Sequence, residues 1–264
     1  MNPLKSIAKK ILGGERRKFA PEPTGIQAGP LKGRKLLLDT RASGSWRLMA
    51  AGEFEAFLYA RMQASRDWSG AAVWDVGAHF GYHTLGLAAL VGESGAVVSF
   101  EPNPALRERL RENLALNPDL EPLVNLREAA VFRGSGQAEM ICSRLVDGNA
   151  SWSRLLDSKA PLPADSYLDF ENVQTPVISL DDWWKQTGDR PPQLIKIDVE
   201  GSEFDALEGG ESVIREHRPT LAVEIHDAAD ADRFRKLCAE WDYRPELLES
   251  AGDRRFFWAE SKTT

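Results

Sequence analysis

Residues 72–85 read Ala-Val-Trp-Asp-Val-Gly-Ala-His-Phe-Gly-Tyr-His-Thr-Leu, which predicts a buried strand, a tight turn and the start of a helix. The apolar residues at the beginning show no polar alternation, as is typical of a parallel strand covered on both faces. From Leu85 onward, apolar residues recur at helical spacing. Gly77 and Gly81 allow the backbone to turn sharply and to approach a ligand where a Cβ atom would clash. The stretch therefore predicts a ligand-binding loop.

A second apolar strand, residues 97–100, ends at Glu101, which lies 24 residues after Gly77. In nucleotide-binding α/β folds, an acidic residue near this distance binds the ribose, because a carboxylate accepts hydrogen bonds from both ribose hydroxyls. The strand, the glycine turn and Glu101 together predict that the ligand is a nucleoside cofactor.

The spacing of the glycines indicates which nucleoside is bound. A dinucleotide loop has the pattern G-x-G-x-x-G, in which backbone amides close on a pyrophosphate. Here His79 stands two positions after Gly77, so the pattern is the looser G-x-x-x-G. S-adenosylmethionine has no phosphate, and its adenosine, carboxylate and amino groups suit a looser turn at a helix N-terminus. We therefore predict S-adenosylmethionine as the cofactor, with an NAD(P)-dependent oxidoreductase on a related sheet as the alternative.

The composition fits one α/β domain in a reducing compartment. The chain has 264 residues, 42% of them hydrophobic, which is enough for a single core. Its net charge of −7 argues against a nucleic-acid partner, because phosphate binding depends on a surplus of Lys and Arg. Cys142 and Cys238 form no C-x-x-C pair, so we expect neither a disulfide framework nor a zinc site. The sequence shows no membrane-length apolar run and no secretory signal, so we expect a cytoplasmic protein.

Residues 1–18 predict a basic amphipathic helix, with Lys and Arg outnumbering a single Glu15 and apolar residues on one face. Such a segment is typical of peripheral contact with the anionic inner face of a membrane, or with a partner that builds glycolipids there. Because the apolar face is short, we favour packing on its own domain or on a second subunit, which would make a homo-oligomer. Residues 21–34 are rich in Pro and Gly and indicate a linker or an extended strap. We expect a short N-terminal extension over residues 1–48 and a main domain over residues 49–264.

Helices and strands alternate along the main domain. A helix is expected from 52 to about 63, and Asn103-Pro104 begin another, with Asn as N-cap and Pro in the first turn. Ser202 and Asp205 resemble a capping box for a later helix. Further strands are expected at 123–131, 194–197 and 219–226, with a closing strand pair at 243–248 and 255–259. This α/β alternation predicts a mostly parallel sheet with helices on both faces.

An insertion of about residues 134–190 separates the third and fourth strands of this sheet. Short strands are expected at 138–142 and 173–179, on either side of a polar stretch at 143–172. So long a polar segment is typical of a lid or a binding loop.

Three passages carry a family resemblance: residues 75–84, residues 100–104 and, most distinctively, Lys-Ile-Asp-Val-Glu-Gly-Ser-Glu at 196–203 with Glu-Ile-His at 224–226. Across about residues 50–226, the chain resembles the FkbM-type S-adenosylmethionine-dependent methyltransferases. The family usually has Asn where His79 stands and Ala where Gly210 stands. The resemblance implies a Rossmann-like class I methyltransferase fold with a seven-stranded sheet. It also implies O-methylation of a hydroxyl on a sugar, a glycolipid or a related polyol.

The resemblance and the strand ends together predict the cofactor contacts. Asp75 is expected to bind the amino group of the cofactor, and Glu128 and Ala129 to lie where the adenine edge would be. The predicted contacts are Glu55, Asp75, Gly77, Ala78, Phe80, Gly81, His83, Thr84, Glu101, Pro102, Asn103, Glu128, Ala129 and Asp198.

Acidic and histidine residues end the fourth and fifth strands, where the sugar or glycolipid acceptor would lie. We predict Asp198, Glu200 and His226 as catalytic residues, with His226 as general base because its ordinary pKa is the most suitable. A divalent metal held by Asp198 and either Glu224 or His226 is a less favoured use of the same residues. A further alternative is a scaffold protein that binds S-adenosylmethionine without turnover.

Overall fold

The computed structural model describes residues 20–143, 153–155 and 170–262. The predicted basic helix at 1–18 and most of the predicted lid at 143–172 lie outside the described residues. In the part of the chain that is described, no helix is both long enough and apolar enough to cross a membrane.

The described chain alternates between strands and helices. The strands are Glu22–Gly25 (β1), Lys35–Leu38 (β2), Ala72–Val76 (β3), Ala96–Phe100 (β4), Val124–Arg127 (β5), Ala130–Val131 (β6), Gly136–Ser143 (β7), Ser153–Leu155 (β8), Phe170–Ile178 (β9), Leu194–Ile197 (β10), Thr220–Ile225 (β11), Tyr243–Ala251 (β12) and Arg254–Ser261 (β13). The α-helices are Gly44–Ala51 (α1), Ala56–Ser65 (α2), Tyr82–Val91 (α3), Pro104–Ala115 (α4), Leu180–Thr187 (α5), Glu203–Glu208 (α6), Glu211–His217 (α7) and Ala231–Glu240 (α8).

A seven-stranded sheet forms the centre of the molecule, in the order β12-β13-β11-β10-β3-β4-β5. The strands from β11 to β5 run parallel to one another. Strand β13 is antiparallel to β11, and β12, which is antiparallel to β13, runs in the same direction as the parallel strands. The prediction of a mostly parallel sheet is therefore confirmed.

Both faces of the central strands are buried in apolar cores. Val73 and Leu194 pack into a core with helices α1 to α4, whereas their neighbours Trp74 and Ile195 pack into a second core with helices α5 to α8. Since successive side chains of a strand point to opposite faces, apolar residues are required at every position. This explains the absence of polar alternation in these strands.

The chain leaves the two central strands in opposite directions. From β3 it continues to β4 and β5 on one side of the sheet, and from β10 it continues to β11 on the other. In open α/β sheets, ligands bind in the crevice that opens at such a switch point, beyond the carboxyl ends of the strands. The two most informative sequence stretches, which follow β3 and β10, meet there because β3 and β10 pair in register.

Residues 21–34, predicted to be a linker or an extended strap, contribute to a hairpin of β1 and β2 that packs on α4. Leu36 and Leu38 are fully buried. The side-chain oxygen of Asn113 accepts a hydrogen bond from the backbone N–H of Leu37 at 2.8 Å. Leu36 and Leu38 give β2 an apolar face that packs on α4, and the Asn113 side chain of α4 accepts a hydrogen bond from the β2 backbone. The segment therefore forms regular structure despite its Pro and Gly content.

The sequence predicted one helix before β3, and the structure has two. Helix α1 ends at Gly52, which adopts φ +78, and α2 begins at Ala56. The predicted helix start at 52 is therefore the C-cap of an earlier helix, a position that glycine favours. The expected boundary between residues 48 and 49 lies within α1.

The strand predicted at 123–131 is divided between two sheets. Its first part, β5, belongs to the central sheet, whereas β6 belongs to a four-stranded sheet in the order β6-β9-β7-β8. Strands β7 and β9 include the short strands predicted at 138–142 and 173–179, and they pair antiparallel. The small sheet thus joins the central sheet through the short link between β5 and β6, and Leu180 and Trp183 of α5 pack in the second core.

Gly77 is required by the packing of the protein itself. It adopts φ +87, and a Cβ added to it would lie 1.8 Å from the carbonyl oxygen of Asp198. The N–H groups of Gly77 and Ala78 both donate to the carbonyl oxygen of Phe100 at 3.0 Å. The glycine that was predicted to let a ligand approach also lets the end of β10 approach the turn after β3.

We expect Gly77→Ala to lower the free energy of unfolding by at least about 2 kcal/mol, because the added Cβ meets a backbone carbonyl and the backbone is left-handed. Gly134→Ala is the matched control, since nothing lies within 4 Å of a Cβ added there. The control is expected to change the free energy of unfolding by less than about 0.5 kcal/mol. Urea denaturation followed by tryptophan fluorescence measures both, and equal stability of the two variants would contradict the close contact.

Candidate functional site

A cavity of about 320 Å³ opens at the switch point of the central sheet. Nine of the predicted cofactor residues line it: Glu55, Gly77, Ala78, Phe80, His83, Glu101, Pro102, Ala129 and Asp198. The predicted catalytic residues Glu200 and His226 also line it, together with Glu224 and the unpredicted Arg254. The cofactor stretch and the acidic stretch therefore contribute to the same cavity.

The remaining predicted cofactor residues lie outside the cavity lining, namely Asp75, Gly81, Thr84, Asn103 and Glu128. The side chain of Asn103 caps α4, as predicted. Glu128 is half exposed and pairs with Arg107 at 3.2 Å. A Cβ added to Gly81 would lie 2.9 Å from Leu110, so this glycine accommodates α4. Asn103 and Gly81 therefore serve the structure of α4, whereas Glu128 lies at the surface.

Asp75 lies beneath the cavity rather than on its surface. It is fully buried, and it accepts a hydrogen bond from the hydroxyl of Thr84 at 2.7 Å. The Lys196 ammonium lies 3.7 Å from Asp75 and 3.3 Å from Asp198. Burial alone would lower the pKa of Lys196, but Asp198 and Asp75 raise it above its usual value. Asp75 therefore holds the lysine that in turn holds Asp198.

Glu101 presents a fixed carboxylate at the end of β4. Its side chain is 4% exposed, and its two oxygens accept backbone hydrogen bonds from His79 at 2.7 Å and from Asn103 at 2.8 Å. Burial raises the pKa of Glu101 to about 7, although both hydrogen bonds act in the opposite direction. This geometry suits a carboxylate that accepts hydrogen bonds from ribose hydroxyls.

Three non-glycine residues of the cavity wall have left-handed backbones: Glu55, His79 and Glu200, with φ of 47, 54 and 52 respectively. His is one of the residue types enriched in this conformation, which is consistent with the left-handed backbone of His79. Its backbone N–H, rather than its ring, bonds Glu101. Strained backbone of this kind clusters at functional sites.

His83 connects two other residues of the cavity region. Its Nδ1 lies 2.9 Å from the hydroxyl of Tyr59, and its Nε2 lies 2.9 Å from Glu55. Only Nδ1 makes a hydrogen bond, whereas Nε2 and the nearby Glu55 oxygen are buried without a hydrogen-bond partner among the described residues. The ring therefore lies beside the Glu55 carboxylate at the cavity wall.

His226 lies among three carboxylates. Its Nδ1 is 2.6 Å from Glu203, and its Nε2 is 3.6 Å from Asp198 and 3.4 Å from Glu200. Burial alone would lower the pKa of His226, but the hydrogen bond to Glu203 and the charges of Asp198 and Glu200 raise it to about 10. The neighbours of the predicted general base therefore favour its protonated ring at neutral pH.

Glu224 completes this cluster at the end of β11. It is 5% exposed and pairs with Arg254 at 3.0 Å. Burial and repulsion by Asp198 raise the pKa of Glu224 above its usual value. Asp198, Glu224 and His226 each offer one ligand atom, and these atoms lie within 4.8 Å of one another. The residues named in the less favoured metal hypothesis therefore converge.

Sequence reasoning missed two partners in this cluster, Glu203 and Arg254. Glu203 belongs to the distinctive motif at 196–203, so the sequence contained a reason to place it in the site near His226. Arg254 lies in the closing hairpin, and no sequence pattern indicated that it would reach the site. The capping-box prediction was wrong, because Ser202 makes no side-chain cap and Gly201 N–H donates to Glu203 instead.

Two comparisons with known proteins concern sequence. A family model described as the methyltransferase FkbM domain matches residues 75–254. A curated relative, the hexuronic acid methyltransferase AglP of Haloferax volcanii, is 26% identical over 185 residues, which cover 70% of this chain and 68% of that protein.

A solved structure, methyltransferase FkbM from Methylobacillus flagellatus, is similar with a TM-score of 0.53 and 18% sequence identity. The match covers 83% of this chain and 55% of that chain, so this chain spans little more than half of its length. At this identity the match concerns the fold, and it confirms the predicted Rossmann-like methyltransferase architecture. Because the family model matches more than half of the sequence, we conclude that this chain belongs to the FkbM methyltransferase domain family.

Proposed function

We propose that this protein is an S-adenosylmethionine-dependent O-methyltransferase that acts on a sugar hydroxyl. The observation that carries the proposal is a single cavity with Glu101 on its β4 side and Asp198, Glu200 and His226 on its β10 and β11 side. A cofactor and an acceptor bound on these two sides would share one enclosed space. The description of AglP as a hexuronic acid methyltransferase favours a sugar acid as the acceptor.

The residues of the β4 side fit S-adenosylmethionine. Glu101 would accept hydrogen bonds from the ribose, and the apolar side chains of Leu106, Val131 and Met140 line the cavity, where an adenine could pack. The bound cofactor would supply a methyl group on a sulfonium sulfur. The acceptor oxygen would attack the methyl carbon in line with the C–S bond, so that the C–O bond forms as the C–S bond breaks and the sulfur leaves as a thioether.

The residues of the β10 and β11 side have to orient the acceptor and take up its proton. Aligning the hydroxyl oxygen with the methyl carbon contributes up to about 7–11 kcal/mol in ideal cases. A carboxylate of Asp198 or Glu200 can accept the hydrogen bond that fixes the hydroxyl. Proton removal during bond formation adds a further factor of about 10² to 10⁴.

We expect full-length protein to bind S-adenosylhomocysteine, and Glu101→Gln to weaken binding at least about tenfold, because charged hydrogen bonds to the ribose are lost. The affinity of the wild type should fall roughly tenfold from pH 7.5 to pH 6, since protonation of Glu101 removes the acceptor that the ribose needs. Isothermal titration calorimetry at both pH values measures these effects.

Glu128→Gln is the control for this carboxylate, because Glu128 follows the neighbouring strand but lies outside the cavity lining. It should keep both the affinity and the pH dependence of the wild type. Absence of binding at millimolar S-adenosylhomocysteine, with NADH bound instead, would favour the oxidoreductase alternative.

We expect transfer of a radiolabelled methyl group from S-adenosylmethionine to hexuronic acid glycosides, and His226→Asn to lower kcat by about 10² or more because the acceptor is no longer oriented. Affinity for S-adenosylhomocysteine should remain within about threefold of the wild type, since the cofactor side is unchanged. Neutral hexose glycosides are tested in parallel, and the difference in transfer rate shows whether the enzyme requires the carboxylate of the sugar acid. Cofactor binding without transfer to any glycan extract would support the scaffold alternative.

We also propose that residues 1–18 hold the protein at an anionic membrane surface, where lipid-linked acceptors are present. The support is the basic amphipathic sequence pattern. Full-length protein should sediment with vesicles containing anionic lipid, and a variant lacking residues 1–18 should stay in the supernatant. Neutral vesicles are the control, and failure of the full-length protein to sediment with anionic vesicles would contradict the proposal.

A further inference from the structure

We propose that Asp198, Glu224 and His226 bind a divalent cation of the Mg²⁺ or Mn²⁺ class, which holds two neighbouring hydroxyls of the acceptor. The use of the cation on an acceptor rests on the proposed function, whereas the cation site itself does not. The site lies at the carboxyl ends of β10 and β11 and opens on the cavity.

The donor atoms lie close together, although farther apart than the ligands of a bound cation. One atom from each of Asp198, Glu224 and His226 lies within 4.8 Å of the other two. Around an octahedral Mg²⁺ with ligands at about 2.1 Å, adjacent ligand atoms are about 3 Å apart. Small side-chain rotations therefore close the set around an ion. Carboxylate oxygens with one imidazole are compatible with Mn²⁺ as well.

The hydrogen bonding of His226 is that of a metal ligand. A metal-bound histidine generally donates its other ring N–H to a carboxylate, which fixes the orientation of the ring. Here Nδ1 lies 2.6 Å from Glu203, whose carboxylate also accepts the backbone N–H of Gly201 at 2.8 Å. The opposite nitrogen, Nε2, is directed at the carboxylates of Asp198 and Glu200, where a cation would lie.

Carboxyl groups outnumber lysine and arginine side chains among the described residues around the site. Asp198, Glu200 and Glu224 face the cavity, and Glu203 stands behind His226. Lys196 meets one oxygen of Asp198 and one of Asp75, and Arg254 meets one oxygen of Glu224. A divalent cation would have carboxylate oxygens to bind at the place where these groups are closest.

An unsatisfied hydroxyl on the same wall is a second sign of a ligand. Ser202 is 4% exposed and lines the cavity, and its Oγ has no hydrogen-bond partner among the described residues. Buried polar groups are rarely left without a partner. A hydroxyl of the acceptor, or a water bound to the cation, would satisfy Ser202. The hydroxyl and the donor cluster thus point to one polar ligand.

A cation in this position would do two things for the acceptor. It would fix two adjacent sugar oxygens in one orientation, and it would lower the pKa of the hydroxyl that is methylated. It would also bridge an acidic acceptor to a carboxylate-rich wall that otherwise repels it. In the absence of a cation, a proton on His226 would have to bridge Asp198 and Glu200.

The test is a titration of the full-length protein with Mn²⁺, in which the electron paramagnetic resonance signal of the free ion measures how much Mn²⁺ is bound. We expect one Mn²⁺ per chain, displaced by excess Mg²⁺. Glu224→Gln and His226→Asn should each weaken binding at least about tenfold, and Glu203→Gln by about 10- to 100-fold, because a carboxylate that orients a ligand contributes that much. Glu211→Gln, a half-exposed carboxylate on α7, is the control and should bind Mn²⁺ like the wild type.

Calorimetry with S-adenosylhomocysteine shows in parallel whether each variant is folded. Loss of Mn²⁺ binding with cofactor affinity retained supports the site. Wild-type protein that binds no Mn²⁺ at about millimolar concentration, or equal affinity in Glu224→Gln and Glu211→Gln, overturns it. Methyl transfer that is unchanged by EDTA overturns the role of the cation in the reaction and leaves the proposed function intact. Mn²⁺ binding without cofactor binding would instead contradict the proposed function alone.

Discussion

The buried ammonium group of Lys196 connects the two halves of the site. It is 1% exposed and lies between the carboxylates of Asp75 and Asp198, which belong to the turns and strands on either side of the switch point. A buried charge without a partner is strongly destabilising, so each of these three groups requires the other two. The position of Asp198 in the cavity is therefore set from below the sheet, through Lys196, as well as by its own backbone.

Much of the fold follows from local patterns in the sequence. The parallel strands, the glycine turn and Glu101 were predictable because strand burial and ribose binding depend on residues close together in the chain. The hairpin that contains Leu36 was not, because Pro and Gly are equally compatible with a linker and the deciding contacts come from α4. Similarly, nothing local pairs Arg254 with Glu224, since the contact requires the register of β11 and β13.

The two sides of the cavity differ in their electrostatics. On the β4 side, Glu101 is held by backbone amides among apolar side chains, a setting for a largely uncharged nucleoside. On the β10 and β11 side, carboxylates surround His226, a setting for hydroxyls and cations. The pKa of His226 is raised by these neighbours, which shows why a residue type with a suitable ordinary pKa does not by itself identify a base.

The short link between β5 and β6 has a consequence for how such enzymes diversify. Ala129 and Ala130, at this link, and Met140, on β7, form part of the cavity wall. Strands β7, β8 and β9 pair within their own sheet, so among the described residues their pairing is independent of the register of β3, β4 and β10. Selection on the shape of this wall can therefore act on β7, while the strands of the central sheet stay under a separate constraint.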